Sequence, residues 1–352
     1  MERKELKLLQ KLPLDIKVAK TKQRIREFIN HFGEDNVYIS FSGGKDSTVL
    51  LHIVREEYPN VKAVFSNTGL EFPEIVQHVK TFDNIEIIRP KISFKQSLEQ
   101  HGYPVISKKV ARMVHDLQNP TEKNATSRKW YLSKWRLDKE TGEPIEGLPN
   151  RSLFLAYKWR YLIDSPFKIS SYCCNALKKN PMANYRKATG KYPILGTMAE
   201  ESDYRANQYI KRGGCNSFDE KKGACQPLGF WTEQDVLQYI VENNIKISSV
   251  YGDVVQKDGI YVTTGEHRTG CIFCLFGIQY DKGYNRIQRL QVTHPQLHQY
   301  VLDKLGYREV MEYLGYPHSI PEEELEDAKK KINGNIQLVT DQGKTEQLKW
   351  DI

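Results

Sequence analysis

The chain has 352 residues, 39% of them hydrophobic and 27% charged, with a mean hydropathy of −0.60. That length can bury a large core and carry an appended part, and no apolar run approaches the roughly 20 residues a membrane-spanning helix needs. The formal net charge of +8 is too small for a polycation, yet it favours anionic partners such as nucleotides or nucleic acid. The opening stretch "MERKELKLLQKLPLDIKVAK" is charged throughout, so it reads as an amphipathic helix rather than a signal peptide, and a cytoplasmic location without membrane contact is expected.

Residues 1–33 are predicted to be helical and to stop at Gly33. "NVYISF" is a short buried strand and "DSTVLLHIVREEY" the helix that follows it. "VKAVFSNTG", "EFPEIVQHVKTF" and "NIEIIRP" continue as strand, helix, strand, and "KYPILGT" is a fourth strand after a long interval. Strands alternating with helices define βαβ units and a parallel sheet. The interval, about residues 108–170, mixes Trp, Tyr, Lys and Arg with a Gly/Pro turn and reads as a central insertion. In "WTEQDVLQYIVENN", Thr232 can cap a helix with Asp235 reaching back. The last eighty residues look mostly helical. The expected division is an N-terminal helix (1–33), a nucleotide-binding domain (34–290) and a helical extension (291–352). The expected fold class is α/β, a doubly wound and mostly parallel sheet.

Between the first strand and its helix lies Ser42-Gly43-Gly44-Lys45-Asp46-Ser47. Glycines turn the backbone sharply and present amides with no Cβ in the way. Those amides, the helix N-terminus and the hydroxyls of Ser42, Ser47 and Thr48 make an anion cradle, to which Lys45 adds a full charge. A Walker A loop would need glycine where Ile39 stands and Ser or Thr where Asp46 stands. Asp46 can instead help to hold Mg²⁺. The plainer alternative is a Gly-Gly turn with a serine cap.

"SGGKDS" resembles the PP-loop of the N-type ATP pyrophosphatases, which cleave ATP between its α and β phosphates. "NTGLEFPE" at 67–74, "GTMAEESDYR" at 196–205 and "PLGFWTEQDVLQYI" at 227–240 are similar to motifs of the phosphoadenosine phosphosulfate (PAPS) reductase family. The resemblance spans about residues 35–290 and implies an adenine-nucleotide α-hydrolase type of fold. It implies that Asn67, Thr68 and Glu71 face the nucleotide, and that Glu200, Glu201 and Arg205 approach the same crevice, where ligands of an open parallel sheet lie. Glu71 can equally be a helix-terminal acid favoured by the macrodipole, and Arg205 a surface ion-pair partner.

Six cysteines occur: Cys173, Cys174, Cys215, Cys225, Cys271 and Cys274. Their spacing argues for metal or redox chemistry rather than a disulfide framework. Cys271 and Cys274 form a C-x2-C knuckle able to aim two thiolates at one metal or cluster, and Cys173–Cys174 is the nearest motif-like source of two more. The iron–sulfur adenylyl-sulfate reductases of the family have a similar Cys-Cys followed distantly by Cys-x2-Cys, so the resemblance implies a 4Fe–4S cluster. Zinc held by four thiolates fits the spacing as well, with Cys215 or Cys225 as substitutes for Cys173, and buried cysteines can also be inert core residues.

The family's reductases attack the sulfonucleotide with a cysteine near the C-terminus, and no cysteine follows Cys274 here. The expected function is therefore a PP-loop iron–sulfur enzyme that binds ATP or an adenylyl nucleotide with Mg²⁺ and activates an acceptor by adenylation for sulfur transfer. DNA phosphorothioation and tRNA thiolation enzymes are its relatives in that reading. Lys45 and Asp46 would carry the catalysis, with a separate sulfur donor protein as a partner. The alternatives are an adenylyl-sulfate or PAPS reductase, and a zinc-stabilised nucleic-acid-binding module. Residues 121–161 hold nine Lys or Arg against five Asp or Glu, with Trp130, Trp135 and Trp159. Cations between flat aromatics suit a nucleic-acid acceptor, each stacked base being worth roughly 1–3 kcal/mol; solvated cations around anchoring aromatics are the other reading.

Overall fold

The computed structural model describes residues 2–333. The described residues form two compact units, one of residues 2–90 and 180–271, the other of 91–179 and 272–332. Among them no helix is long and apolar enough to cross a membrane.

The first unit opens with helices α1 (Arg3–Gln10) and α2 (Leu14–Phe32). Pro13 caps α2 and separates it from α1, because proline suits a helix start and not its interior. Gly33, at φ +87°, ends α2. There follow β1 (Val37–Phe41), α3 (Lys45–Arg55), β2 (Ala63–Ser66), α4 (Pro73–Lys80) and β3 (Ile85–Ile88). β1 is buried at four of its five positions, as expected of a strand covered on both faces.

The chain then builds much of the second unit: α5 (Phe94–His101), β4 (Val105–Ile106), α6 (Lys108–Gln118), α7 (Ala125–Leu132) and the hairpin of β5 (Trp135–Leu137) with β6 (Pro144–Pro149). Returning to the first unit, it adds α8 (Asn180–Thr189), β7 (Tyr192–Leu195), α9 (Asp203–Arg212), β8 (Asn216–Ser217), β9 (Ala224–Cys225) and α10 (Glu233–Glu242). The hairpin of β10 (Val254–Lys257) and β11 (Ile260–Thr263) completes it.

The main sheet runs β3-β2-β1-β7-β9-β8, parallel except for β8. Strand order reverses between β1 and β7, which makes a switch point with a crevice beyond their carboxyl ends. The doubly wound α/β class expected from the sequence is thus observed. Its core packs Phe28, Ile39, Leu50 and Trp231, each 0% exposed. The Trp231 indole donates to Thr21 Oγ1 at 2.9 Å, so α2 is pinned to the segment before α10. Lys17 of α2, 1% exposed, pairs with Asp235 of α10 at 2.5 Å.

The rest of the second unit is β12 (Leu275–Phe276), parallel to β4, and helices α11 (Arg286–Thr293), α12 (Pro295–Lys304), α13 (Tyr307–Leu314) and α14 (Glu322–Asn333). The expected insertion is wider than 108–170, and the C-terminal helices share its unit rather than forming an extension of their own. The cause is aromatic packing that sequence spacing does not reveal. Tyr103 donates to the Leu305 carbonyl at 3.0 Å, and Tyr313 to that of Tyr161 at 2.9 Å. The part of the expected extension at 334–352 lies outside the described residues.

Candidate functional site

β1 ends at Phe41 and α3 begins at Lys45, so Ser42, Gly43 and Gly44 make the turn at the switch point. Gly43 sits at φ +72°, and a Cβ there would lie 2.7 Å from Val79 Cγ2 and 2.8 Å from Ile75 Cγ2 of α4. Only glycine satisfies both the torsion and the space. Ser42 Oγ accepts from the Gly44 amide at 3.3 Å and shares a hydrogen bond with Ser47 Oγ at 2.9 Å. Ser47 and Thr48 donate to the Gly44 carbonyl, closing the first turn of α3. Ser42, Gly44, Ser47 and Thr48 are thus tied together by hydrogen bonds at this turn.

Lys45 is 4% exposed, and its ammonium has two defined partners: Glu233 Oε1 at 2.9 Å and the His267 carbonyl at 2.9 Å. A buried ammonium requires such compensation. Glu233 also reaches His267 Nε2 at 3.3 Å. The Lys45 amide donates to the Tyr251 hydroxyl at 3.2 Å, which in turn lies 2.5 Å from Thr269 Oγ1. Burial pushes that phenol up to about 12, so it stays protonated at neutral pH.

Asp46 points elsewhere. Its Oδ1 is buried with no hydrogen-bond partner. Burial pushes the carboxyl up to about 6; Lys45 and Arg268 pull it down, Glu201 and Glu233 push it up. The orphaned oxygen is of the donor type a divalent cation prefers.

Because β1, β2 and β7 are parallel and in register (Phe41 opposite Phe65, Ser40 opposite Leu195), the segments that follow them leave at one sheet edge. Asn67, Thr68 and Glu71 lie there and bond within their own turn: Asn67 Oδ1 accepts from the Gly69 amide, and Glu71 accepts from the Thr68 amide at 2.9 Å and hydroxyl at 2.8 Å. After β7, Gly196 passes so close that a Cβ would sit 3.3 Å from Ser47 Cα. Glu200 accepts from the Glu233 amide at 2.6 Å. Arg205 pairs with Glu201 at 3.2 Å, the surface ion-pair role set out for it above. Glu233, Tyr251, His267 and Thr269 were not singled out by motif. The signal for the last two was present: "EHRTG" directly precedes the C-x2-C knuckle.

All six cysteines are thiols rather than disulfide halves. In the second unit Cys173 and Cys174 are adjacent, ahead of a π-helical turn at Asn175–Lys179. A hydrogen bond from Cys173 pulls Cys174 down to about 6 against the effect of burial, helped by Lys108 and Lys178. A thiolate at neutral pH is the form that ligates metal. The knuckle's turn is buried at Ile272 and Phe273, and Arg286 donates to the Cys274 carbonyl at 3.1 Å. Among the described residues no group of three or more His, Cys, Asp or Glu side chains is arranged to hold a metal ion. The donor chemistry at Cys174 suits a thiolate-bound metal. Cys215 and Cys225 belong to the core of the first unit, where burial pushes both thiols up. Cys215 lies 3.1 Å from the Tyr209 hydroxyl.

Within residues 121–161, Trp130, Trp135 and Trp159 are half-buried. Lys134 sits over the Trp135 ring and Lys158 over that of Trp159, each at 4.9 Å, and Arg160 lies 4.4 Å from the centre of the exposed Tyr157.

Sheet order and loop together define an open α/β protein with a glycine-turned strand-to-helix corner at its switch point. The pattern of the phosphoadenosine phosphosulfate reductase domain matches residues 36–129 and 149–274, and the chain belongs to that family of enzymes. A curated relative is the uncharacterized protein MJ0973 of Methanocaldococcus jannaschii, 36% identical over 70 residues, which are 18% of this chain and 17% of that protein. The match thus spans about a sixth of that relative's length. Among solved structures, the phosphoadenylyl-sulfate (PAPS) reductase from Candida auris in its phosphate complex is 15% identical, with a TM-score of 0.37 over 74% of this chain and 98% of that one. The U34-tRNA thiolase NcsA from Methanococcus maripaludis with its 4Fe–4S cluster is 14% identical, with a TM-score of 0.34 over 85% and 80%.

Proposed function

We propose that this chain binds ATP or a related adenylyl nucleotide at the β1–α3 corner and activates an acceptor by adenylation for sulfur transfer. The observation that carries the reading is the pairing of a buried ammonium, Lys45, with an orphaned carboxylate oxygen, Asp46 Oδ1, at one helix start. An acceptor oxygen would attack the α-phosphorus while the bond to the α–β bridging oxygen breaks. Pyrophosphate leaves with that electron pair, and the acceptor keeps AMP as a leaving group for sulfur to displace. Gly43, Gly44, Ser42 and Ser47 would hold the phosphate oxygens, with Lys45 stabilising charge on the departing pyrophosphate. Asp46 would hold Mg²⁺, which when bound neutralises the leaving group. Asn67, Thr68 and Glu71, at the same edge, would border the nucleotide.

Cys173, Cys174, Cys271 and Cys274 would hold a 4Fe–4S cluster in this reading, with Zn²⁺ as the alternative. A nucleic-acid acceptor is proposed at residues 121–161, supported by the lysines over Trp135 and Trp159. A sulfur donor protein and a cytoplasmic setting complete the proposal. Incubation with labelled ATP, Mg²⁺ and candidate acceptors tests it: acceptor-dependent release of pyrophosphate is expected, and its absence with every acceptor rejects adenylation.

The family name favours a second reading, reduction of a sulfonucleotide. That chemistry needs a nucleophilic thiolate, and the buried thiols of Cys215 and Cys225 are pushed up rather than activated. Sulfite release from adenylyl sulfate or PAPS, lost in Cys215→Ser or Cys225→Ser, would establish it instead.

A further inference from the structure

We propose that Glu233 is a resident stand-in for nucleotide phosphate: a positioning residue that holds the Lys45 ammonium while the loop is empty and yields it to the ligand's oxyanion. The proposal rests on the nucleotide reading of the loop given above. Three donors of the kind a phosphate would use are already satisfied by oxygens of the same unit. Ser42 Oγ takes the Gly44 amide, the Tyr251 hydroxyl takes the Lys45 amide, and Glu233 takes the Lys45 ammonium. The first two partners are neutral hydroxyls. Glu233 alone brings a negative charge, so it alone competes with a phosphate in kind.

Glu233 is also built to let go. Its Oε1 faces Lys45 at 2.9 Å and its Oε2 faces His267 Nε2 at 3.3 Å, while the His267 side chain is 69% exposed. A small shift towards His267 releases Lys45 without leaving the carboxylate bare. The groups around it are held firmly. Gln234, the next residue of α10, exchanges two hydrogen bonds with the Tyr261 backbone, at 2.9 and 2.8 Å. The base of the β10–β11 hairpin is clipped by Gly265 to Tyr251 and by Glu266 to Val250, both at 2.8 Å. His267 and Thr269 follow directly from that clip, so Lys45, Glu233 and His267 form a row in which one carboxylate faces both the ammonium and the imidazole Nε2.

Such a counter-ion scales apparent affinity down to the fraction of time Lys45 is free. If the ammonium is released about one-tenth of the time, the ligand loses a factor of about ten. ATP binding to the full-length protein, measured by calorimetry in EDTA and again with Mg²⁺, tests this. Glu233→Gln should bind ATP about tenfold tighter in both conditions. His267→Ala should bind more weakly than wild type, because Glu233 then has no second partner to turn to when it releases Lys45. In a Lys45→Ala background the Glu233→Gln change should have no effect. Unchanged or weaker ATP binding by Glu233→Gln, with Lys45→Ala still impaired, overturns the counter-ion role and leaves the nucleotide site standing. Unimpaired binding by Lys45→Ala overturns the site itself. If Glu233→Gln does not fold, Glu233→Asp keeps the charge but shortens its reach: tighter binding supports the role, and unchanged or weaker binding overturns it.

Discussion

Lys45 and Asp46 are neighbours at the start of α3, yet the ammonium of Lys45 turns to Glu233 at 2.9 Å while Asp46 Oδ1 is left buried with no partner. A core that leaves an acceptor unsatisfied loses stability. The fold keeps one buried carboxylate oxygen that it does not itself satisfy, and that cost points to a ligand.

Asp46 sets a pH dependence with a definite sign. Its carboxyl rises from an ordinary 3.8 to about 6 in the folded chain, chiefly through burial. The protonated form therefore contributes stability that is fully present below about pH 4 and is lost as pH rises through about 6. Asp46→Asn imitates that form. In urea titrations it should be more stable than wild type by the order of 2 kcal/mol at pH 8, with the gap closing near pH 4. It should also lose Mg²⁺-dependent nucleotide turnover. Equal stability of the two proteins at pH 8 would contradict the buried, orphaned carboxylate.

The Lys17–Asp235 pair tests what holds the first unit together. Asp235 Oδ2 receives Lys17 at 2.5 Å and also accepts from the Thr232 amide at 2.6 Å and hydroxyl at 2.7 Å. Asp235→Ala strands a buried cation and removes half of a capping box, so a loss of about 3–5 kcal/mol is expected on chemical denaturation. Lys17→Met, which keeps most of the volume and leaves Asp235 its cap, should cost less. A reversed order would mean that the pair contributes little.

In metal-free protein Cys174 should react faster at neutral pH than Cys215 or Cys225. Its value of about 6, set first by the hydrogen bond from Cys173 and aided by Lys108 and Lys178, predicts rapid alkylation at pH 7 that slows below pH 6. Cys215 and Cys225, buried with thiols pushed up, should stay unmodified in the folded state. Lys108→Ala should move the Cys174 profile to higher pH. Peptide mapping after iodoacetamide pulses reads all of this, and preferential labelling of Cys225 would contradict it.

Local chemistry made part of the fold legible in the sequence. The Gly-Gly-Lys turn between β1 and α3, the β1–α3–β2 alternation and the Thr232–Asp235 cap are written within a few residues of one another. What was not legible depends on distance along the chain. Lys17 meets Asp235 across 218 positions, and Lys45 meets the His267 carbonyl across 222. A lysine at position 17 looks like any solvated cation of an amphipathic helix, and Glu233 like an ordinary first-turn acid of α10. The union of the C-terminal helices with the insertion was hidden for the same reason, since Tyr103 and Tyr313 carry no spacing signal for their partners. Arg205, expected by resemblance near the crevice together with Glu201, pairs with that same Glu201.

ATP binding by wild type and by a protein carrying both Lys45→Ala and Asp46→Asn, compared at equal ionic strength with Mg²⁺ present, tests the β1–α3 corner most directly. Losing charge-assisted contacts of this kind should weaken binding by about 10- to 100-fold. Affinity equal to that of wild type would show that the nucleotide, if bound at all, is gripped somewhere else.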